Sequence, residues 1–446
     1  MTRSLTSSGT LLAYAGPSTP LAMLMMQLIV YLPPFYASEI GLPLAQVGLV
    51  FFLARAWDAV IDPLVGNLSD RTRGRWGRRK PWLLIGVPAL MLGTWLFAQP
   101  PAGVGLTYLF VTAFFFYVAL TVVQIPYMSW GAELARDYEG RTRVGVFREG
   151  ALMVGVVLAT SLPLIFLAGT NPGLRDILRV FVGTLLVLLP ITALVALRVV
   201  PVAPFEDTGR VGLWDSLWRL RRNGPLLRML TGVFLFWLGG SVYNALVLFI
   251  VAHRLGQPLE SFLWFVFLQY LVSIACLPFA SWLGNRIGRH RALVLGGMAF
   301  FALLPCLMLV PMGAFIPALV VFLLAGAVTN FIWVMPPALI ADTVDYGRLK
   351  GAGDDSALYM ALYMFVHKLA LAVGVGLALP LAAGLGFDQA DPGSQASLRA
   401  LDLVGLVLPG LIALGGAVVM WNYPITARRH ALLRRWLARS AGRPSR

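Results

Sequence analysis

Long apolar segments, separated by short polar ones, run the whole length of the chain. Twelve of them reach the length of about 20 mostly apolar residues that a helix needs to cross a bilayer. Their apolar residues are continuous and do not alternate with polar ones, as the strands of a membrane β-barrel would require. The pattern predicts helices at 15–38, 44–69, 82–99, 104–132, 144–168, 179–200, 228–252, 261–285, 292–311, 314–341, 356–384 and 401–423.

The composition agrees with an all-α membrane protein. Of the 446 residues, 59% are apolar and 12% are charged, which is too little charge to cover the surface of a soluble domain. The net charge of +15 does not indicate a nucleic-acid partner, because the basic residues are concentrated in alternate loops. This distribution predicts a multi-pass protein of the bacterial inner membrane with both termini in the cytoplasm. Cys276 and Cys306 lie in apolar spans, so neither a disulfide framework nor a cofactor is expected.

The longest connection between predicted helices divides the chain into two halves of six helices each. We expect an N-terminal bundle over 1–200, a linker over 201–227, a C-terminal bundle over 228–424 and a basic cytoplasmic tail over 425–446. In the linker, Trp and Leu residues alternate with Arg residues, which predicts an amphipathic helix at the membrane surface. Similar Pro and Gly–Arg turns follow the second and the eighth helix, as an internal duplication would produce.

Two acidic residues inside the second predicted helix are the strongest functional signal. Asp58 and Asp62 are four residues apart, so their carboxylates lie on one helix face about 6 Å apart. Something must neutralise them in hydrocarbon: a bound cation, a proton, or a basic partner such as Lys368 in the eleventh helix. A permanent ion-pair cluster that only fixes helix packing is the alternative. Because acids inside the membrane are functional by default, we interpret the pair as a coupling-ion site, with Arg55 as a further charge partner.

Charged residues near predicted helix ends indicate gates on the cytoplasmic side. The loop after the second helix combines glycines and Asp70 with many arginines. We interpret this loop as a latch that holds helices together. The alternative is a loop whose positive charge only keeps it in the cytoplasm, but such a loop would not require the glycines and Asp70. The other residues predicted to act as charge partners or in gating are Arg71, Arg78, Glu133, Arg141, Asp342 and Asp345.

Polar residues in the fourth and fifth predicted helices are candidates for contact with a solute. Thr121, Gln124 and Tyr127 share one helical stripe and could line an aqueous cavity, although helix packing explains them nearly as well. Arg148 and Glu149 are adjacent within an otherwise apolar helix, which suggests ligand contact or a gate. A snorkelling arginine at the membrane interface is the alternative for Arg148.

Several of these segments together resemble one transporter family. The chain is similar to the glycoside–pentoside–hexuronide:cation symporters, the melibiose-permease branch of the major facilitator superfamily, over nearly its whole length. The motifs that carry the resemblance are R-x-W-D-A-x-x-D-P-x-x-G from Arg55, D-R-T-x-x-x-W-G-R-R-K-P from Asp70, I-P-Y from Ile125 followed by Glu133, E-x-R-T from Glu139 and A-D-x-x-D-Y from Ala341.

The resemblance implies a twelve-helix fold in two six-helix bundles and sugar transport driven by Na⁺, Li⁺ or H⁺. It implies that Asp58 and Asp62 are the cation-binding carboxylates, the Na⁺ ligands if the carrier is sodium-coupled, with Thr121 as a further oxygen ligand. Lys368 matches the lysine of the family's eleventh helix, and Arg148 matches the arginine near the sugar. No enzymatic activity is implied.

The chain departs from the family pattern at several positions. Ile61 stands where sodium-coupled members often have Asn or Thr, and the loss of an oxygen ligand weakens a Na⁺ site more than a proton site. Gln124 replaces a sugar-binding Asp, Met128 replaces an aromatic residue, and 20–22 contain no acid. The galactoside-type site is therefore not preserved. Fewer acids near Arg148 and Lys368 would suit an anionic solute such as a uronide.

Four functional hypotheses remain open, and the chain is expected to act as a monomer on a small solute. The leading one is a cation-coupled symporter for a sugar, glycoside or sugar acid that works by alternating access. A carrier of amphiphiles such as lysophospholipids is favoured slightly by Met128 and the apolar first helix. An assembly factor or sensor without coupling is weakened by the retained aspartates. An enzyme is least favoured, because no nucleophile–base pair or metal cluster is visible.

Overall fold

A computed structural model describes residues 7–135, 138–170, 172–202, 223–349 and 356–424. In these parts of the chain, twelve helices are long and apolar enough to cross a membrane. They are α1 (Ser8–Glu39), α2 (Leu44–Arg71), α3 (Lys80–Ala98), α4 (Leu106–Glu133), α5 (Tyr138–Phe166), α6 (Leu174–Val199), α7 (Gly224–Arg254), α8 (Leu259–Ile287), α9 (Arg289–Leu309), α10 (Phe315–Leu349), α11 (Ser356–Gly384) and α12 (Gln395–Trp421). The predicted all-α membrane fold is confirmed.

The helix boundaries differ most from the prediction where polar residues form the first or last turns. α1 begins at Ser8 instead of 15, with the Ser7 side chain accepting a hydrogen bond from the Thr10 amide at 3.3 Å. α12 begins at Gln395 instead of 401 and is capped in the same way by Ser394. In both cases a serine cap satisfies an amide that the helix itself leaves without a partner. A helix can therefore start well before its apolar run.

The helix packing repeats between the two halves of the chain. In the first half, α1 packs on α5 and α6, α2 packs on α4, and α3 packs on α4 and α6. In the second half, α7 packs on α11 and α12, α8 packs on α10, and α9 packs on α10 and α12. Each contact of the first half recurs six helices later, so the chain forms two six-helix bundles of the same internal arrangement. The predicted linker helix and basic tail lie outside the described residues, within 203–222 and 425–446.

Two helix pairs that are equivalent by this repeat join the bundles, α2 with α11 and α5 with α8, and α1 also contacts α7. The first pair is very close at the end of α2 that is remote from the arginine-rich loop after Arg71. A Cβ atom added to Gly48 would lie 2.9 Å from Leu379 Cβ, and one added to Gly376 would lie 2.7 Å from Phe52 Cβ. These glycines allow the two backbones to approach where a larger side chain would separate them. The bundles are thus packed tightly at this remote end.

Candidate functional site

The acidic pair of α2 lies at the contact between the two bundles. Asp58 and Asp62 follow Leu44, the first residue of α2, by roughly 21 and 27 Å along the helix axis, at 1.5 Å per residue. They are therefore well inside the span. Asp58 is 3% exposed, and the Asp62 side chain is 19% exposed. The i, i+4 spacing directs both carboxylates toward α4 and α11.

Lys368 of α11 joins this pair from the other bundle. Its Nζ lies 2.9 Å from Asp58 Oδ2 and 2.5 Å from Asp62 Oδ2. The lysine side chain is 17% exposed, so the ammonium and both carboxylates are largely withdrawn from solvent. One ammonium thus bridges two carboxylates and holds α11 against α2.

The second oxygen of each carboxylate faces Thr121 of α4. The fully buried Thr121 hydroxyl makes a short hydrogen bond with Asp58 Oδ1 and lies 3.2 Å from Asp62 Oδ1. A hydroxyl has a single hydrogen and can donate to one of these oxygens at a time. The three oxygens therefore converge on a place where a proton or a small cation would complete the contacts.

Charge counting in this cluster leaves one negative charge. Lys368 balances one of the two carboxylates that it contacts. Arg55, one turn before Asp58, is 8% exposed, and its guanidinium carbon lies 6.0 Å from the centre of the Tyr117 ring. Its Nε has no hydrogen-bond partner among the described residues. Arg55 therefore carries a positive charge near the cluster but does not bridge the two carboxylates as Lys368 does.

The predicted solute stripe of α4 is divided between two environments. Gln124 and Met128 are partly exposed. Tyr127 is 2% exposed, and its hydroxyl lies 2.7 Å from both the Tyr14 carbonyl and the Ser18 hydroxyl of α1. Its hydrogen bonds are thus used in packing α4 against α1, which was the alternative explanation for this stripe.

An ion pair of α5 lies on the side of the N-terminal bundle that faces the C-terminal bundle. Arg148 Nη2 is 2.7 Å from Glu149 Oε1, with side chains 27% and 54% exposed. Arg148 is roughly 15 Å along the axis from the start of α5. It interacts electrostatically with Tyr14 and Tyr127, and Glu149 interacts with Tyr363 of the other bundle. The pair therefore faces the space between the bundles.

An aromatic cluster on the C-terminal bundle was not among the predicted site residues. The rings of Trp237 and His367 meet edge to face at a centroid distance of 4.2 Å, and Trp333 packs on Trp237 at 4.4 Å. Tyr363 stacks on the His367 ring at 6.3 Å. His367 precedes Lys368 directly in the chain, which was the only signal of this cluster in the sequence.

A second charge cluster lies at the arginine-rich ends of α2, α3 and α4. Arg79 is 6% exposed and contacts Asp70 at 2.5 Å, Glu133 at 2.7 Å and the Ser69 hydroxyl at 2.6 Å. Arg78 contacts the same Glu133 oxygen at 3.1 Å. Arg71 instead bonds Asn67 of its own helix. Asp70, Arg78 and Glu133 were each predicted as charge partners, and the structure joins them in one cluster around Arg79, which the prediction omitted.

The predicted gate of the C-terminal bundle is a local ion pair. Asp342 of α10 lies 2.6 Å from Arg289 at the start of α9. Both residues belong to the same bundle. The side chains of Arg141 and Asp345 lie outside the described residues.

Comparison with known proteins supports the transporter interpretation. Residues 13–427 match the family described as MFS/sugar transport protein. The chain is 27% identical to the inner membrane symporter YicJ of Escherichia coli (strain K12), over 89% of this chain and 87% of that protein. It is 24% identical to the glucuronide carrier protein homolog of the same strain, over 90% and 88%. It is 22% identical to the sodium-dependent lysophosphatidylcholine symporter 1-B of Danio rerio, over 90% and 82%.

A solved structure shares the fold. The crystal structure of a bacterial homolog to the human lysosomal transporter Spinster, in an inward-facing and unoccupied conformation, superposes with a TM-score of 0.64. The alignment covers 100% of both chains at 13% identity. At that identity the likeness concerns the fold alone.

Proposed function

The chain belongs to the MFS/sugar transport protein family, and we propose that it couples the entry of H⁺ or Na⁺ to the uptake of a sugar, glycoside or anionic sugar derivative. Transport and symport are properties of this family. The coupling ion, the solute and the residues that bind them are the content of the proposal.

The observation that carries the proposal is the Lys368 bridge between Asp58 and Asp62. Its ammonium lies within 2.9 Å of one carboxylate and 2.5 Å of the other, and lysine and carboxylates belong to different bundles. A cation that binds the carboxylates competes with Lys368 and weakens this contact between α2 and α11. Ion binding is thereby linked to the relative position of the bundles, which alternating access must change.

The oxygen ligands favour H⁺ as the coupling ion. Asp58, Asp62 and Thr121 supply the converging oxygens, and the position before Asp62 is the apolar Ile61, which is buried. Na⁺ binding needs more oxygen ligands than a proton does, because the ion must replace most of its hydration shell. A proton needs a single carboxylate oxygen. When the cation displaces Lys368, the two carboxylates and Thr121 offer five side-chain oxygens, so the preference for H⁺ rests on Ile61, which adds no oxygen beside Asp62.

The charged pair of α5 favours a polar solute. Arg148 and Glu149 lie five and six residues after the start of the apolar span Arg143–Phe166, with side chains 27% and 54% exposed, and charged groups within a span are tolerated beside a water-filled cavity or a charged partner. An arginine can bind a carboxylate or neighbouring hydroxyl groups through two parallel hydrogen bonds. We assign Arg148 to the solute, with the partly exposed Gln124 and Met128 on the neighbouring α4.

The location of the basic segments supports the orientation that we propose. The loops after α2 and α8 carry Arg71 to Lys80 and Arg286 to Arg291, and basic loops face the cytoplasm in bacterial inner membranes. With both termini cytoplasmic, the tight packing at Gly48 and Gly376 closes the periplasmic end. Solute would then leave toward the cytoplasm in this conformation.

The test is uptake into proteoliposomes under an imposed H⁺ or Na⁺ gradient. A thermal-shift screen of sugars, uronates and lysolipids first identifies the solute. We expect accumulation driven by one of the gradients, and its loss in the double variant Asp58→Asn/Asp62→Asn. The matched control is Asp176→Asn, which removes an exposed acid paired with Arg179 at 3.1 Å. Unchanged gradient-driven uptake by the double variant would refute the coupling site.

An amphiphile carrier is the second candidate, because a lysophosphatidylcholine symporter is among the relatives. The partly exposed Met128 would suit an acyl chain. Lysolipid uptake with no response to any sugar or uronate in the same assay would favour this candidate. The exposed Arg148–Glu149 pair argues for the polar solute.

A further inference from the structure

A cavity of about 330 Å³ lies beside the second charge cluster, away from the Asp58–Lys368 site. The loop between α2 and α3 forms one wall, the last turn of α4 forms another, and Val202, just after α6, closes it. The loop fits closely there: a Cβ atom added to Gly77, whose φ is +77°, would lie 2.6 Å from Val202 Cγ1. The cavity is thus formed by three segments of the N-terminal bundle.

Positive charge dominates the lining of this cavity. Four basic side chains line it, and Glu133 is the acidic one among its lining residues; the basic ones are Arg73, Arg78, Arg79 and Lys80. Glu133 is shared between two of the arginines. The Lys80 ammonium donates to the Leu197 carbonyl at 2.8 Å and lies 5.7 Å from the Trp130 ring centre. These contacts hold it in place without removing its charge.

The N-terminus of α3 adds to the positive electrostatic potential in the cavity. α3 begins at Lys80, and no side chain caps its first turn. Helix N-termini carry partial positive charge and free amides, and they attract phosphate groups. Pro81 has no N–H, and the Trp82 amide donates to the Arg79 carbonyl at 3.2 Å, so the helix contributes through its dipole and the four basic side chains supply the hydrogen-bond donors.

The cavity is located where lipid headgroups lie. α3 begins, α4 ends and α6 ends within a few residues of it, at Lys80, Glu133 and Val199. Trp76, 51% exposed, and Val202, 47% exposed, lie at its rim. Tryptophan and basic residues with an apolar edge are typical of the membrane interface, and basic pockets between helix ends bind phosphate-bearing lipid headgroups.

We propose that this cavity binds a phosphate-bearing anion and that its source is the headgroup of an anionic phospholipid in the leaflet at the arginine-rich end. The phosphate lies between Arg73 and Lys80, near the positive end of the α3 dipole, and the acyl chains extend past Trp76 and Val202. A soluble phosphate ester shares the headgroup chemistry but lacks the chains. The proposal holds whatever solute the protein carries.

The test compares two arginines of the same loop. Arg73 lines the cavity, whereas Arg75, two residues later, does not; both are exposed. Native mass spectrometry of the detergent-solubilised protein, titrated with phosphatidylglycerol or with phosphatidylcholine of the same chains, measures lipid affinity. Hydrogen exchange of 72–80 with each lipid shows whether the bound lipid protects this loop.

We expect phosphatidylglycerol to bind more tightly than phosphatidylcholine and to protect 72–80. Arg73→Gln should weaken phosphatidylglycerol binding about five-fold, the effect of one basic residue near an anionic membrane surface, and Arg75→Gln should weaken it much less. Lys80→Gln is a second variant with the same expected direction. Equal affinity for the two lipids, or equal losses in Arg73→Gln and Arg75→Gln, would overturn the proposal. Equal protection by glycerol 3-phosphate alone would overturn the assignment to lipid.

Discussion

Substitution of Lys368 by methionine tests the central cluster most directly. Methionine keeps much of the length of the lysine side chain and removes the ammonium that contacts Asp58 and Asp62 at 2.9 and 2.5 Å. Two carboxylates then remain one helical turn apart, with Thr121 as their nearest polar neighbour. We expect Lys368→Met to destabilise the folded protein and to loosen the contact between α2 and α11.

The size of the expected destabilisation follows from the burial of the three charged groups. The three charged side chains are 4 to 19% exposed, so little solvent screens them. Removing one partner of a buried ion pair costs about 3–5 kcal/mol, mostly because the remaining charge stays unpaired. Neutralising one carboxylate as well, in Lys368→Met/Asp62→Asn, restores the net charge of the cluster. We expect this double variant to recover part of the loss, up to about 3 kcal/mol, which is the upper end of the coupling energies between contacting residues.

Thermal unfolding of the purified protein in detergent measures both variants. Lys80→Met is the matched control, since the Lys80 ammonium donates to a backbone carbonyl at 2.8 Å and its loss leaves no carboxylate pair behind. Na⁺ added in a titration should stabilise Lys368→Met if the ion binds the freed carboxylates, by about 2.7 kcal/mol at one hundred times its dissociation constant. Equal melting of Lys368→Met and Lys80→Met, with no recovery in the double variant, would refute the reasoning.

Three further outcomes follow from individual contacts. Thr121→Val should reduce about ten-fold the extent to which the coupling ion strengthens solute binding, which is the effect of one hydrogen bond to a charged group. Thr121→Ser keeps the hydroxyl and should restore the ion dependence. Calorimetry of solute binding with and without the ion measures both variants. Arg79→Gln should lower the free energy of unfolding by about 3–5 kcal/mol, because it removes one of the two arginines that pair with Glu133. The control Arg71→Gln should change it by about 0.5 kcal/mol or less. Equal melting temperatures of the two variants would contradict the central role of Arg79. Gly376→Ala should cost about 1–3 kcal/mol through overpacking against α2, while Gly384→Ala, with open space around it, should be neutral in the same melting assay.

The sequence predicted the fold because its determinants are local. Each span carries its own apolar run, and the length of that run alone indicates a membrane helix. The count of twelve was therefore predicted correctly, and the two-bundle arrangement was predicted from the long connection after the sixth helix and the repeated turns. The starts of α1 and α12 were missed because Ser7 and Ser394 cap polar first turns, which a hydropathy pattern assigns to the loop.

The candidate site was predictable where residues share a helix, and also for Lys368, because two carboxylates in hydrocarbon require a positive partner. The spacing of Asp58 and Asp62 indicates a common face without any tertiary information. The choice between Arg71, Arg78 and Arg79 as the partner of Asp70 depends on how the loop folds back, and all three are arginines of the same loop. The Tyr127 hydroxyl is directed to Tyr14 and Ser18 by the packing of α1 on α4, which no local pattern encodes.

The two charge clusters of the N-terminal bundle differ in what their contacts hold together. Arg79 joins Asp70 and Glu133 within one bundle, so its ion pairs can persist while the bundles move as rigid bodies. Lys368 joins Asp58 and Asp62 across the two bundles, so its ion pairs must weaken whenever α11 separates from α2. A cation that replaces Lys368 lowers the electrostatic cost of that separation. In the proposed mechanism the coupling ion acts at the inter-bundle cluster, whereas the loop cluster holds α2, α3 and α4 of one bundle together.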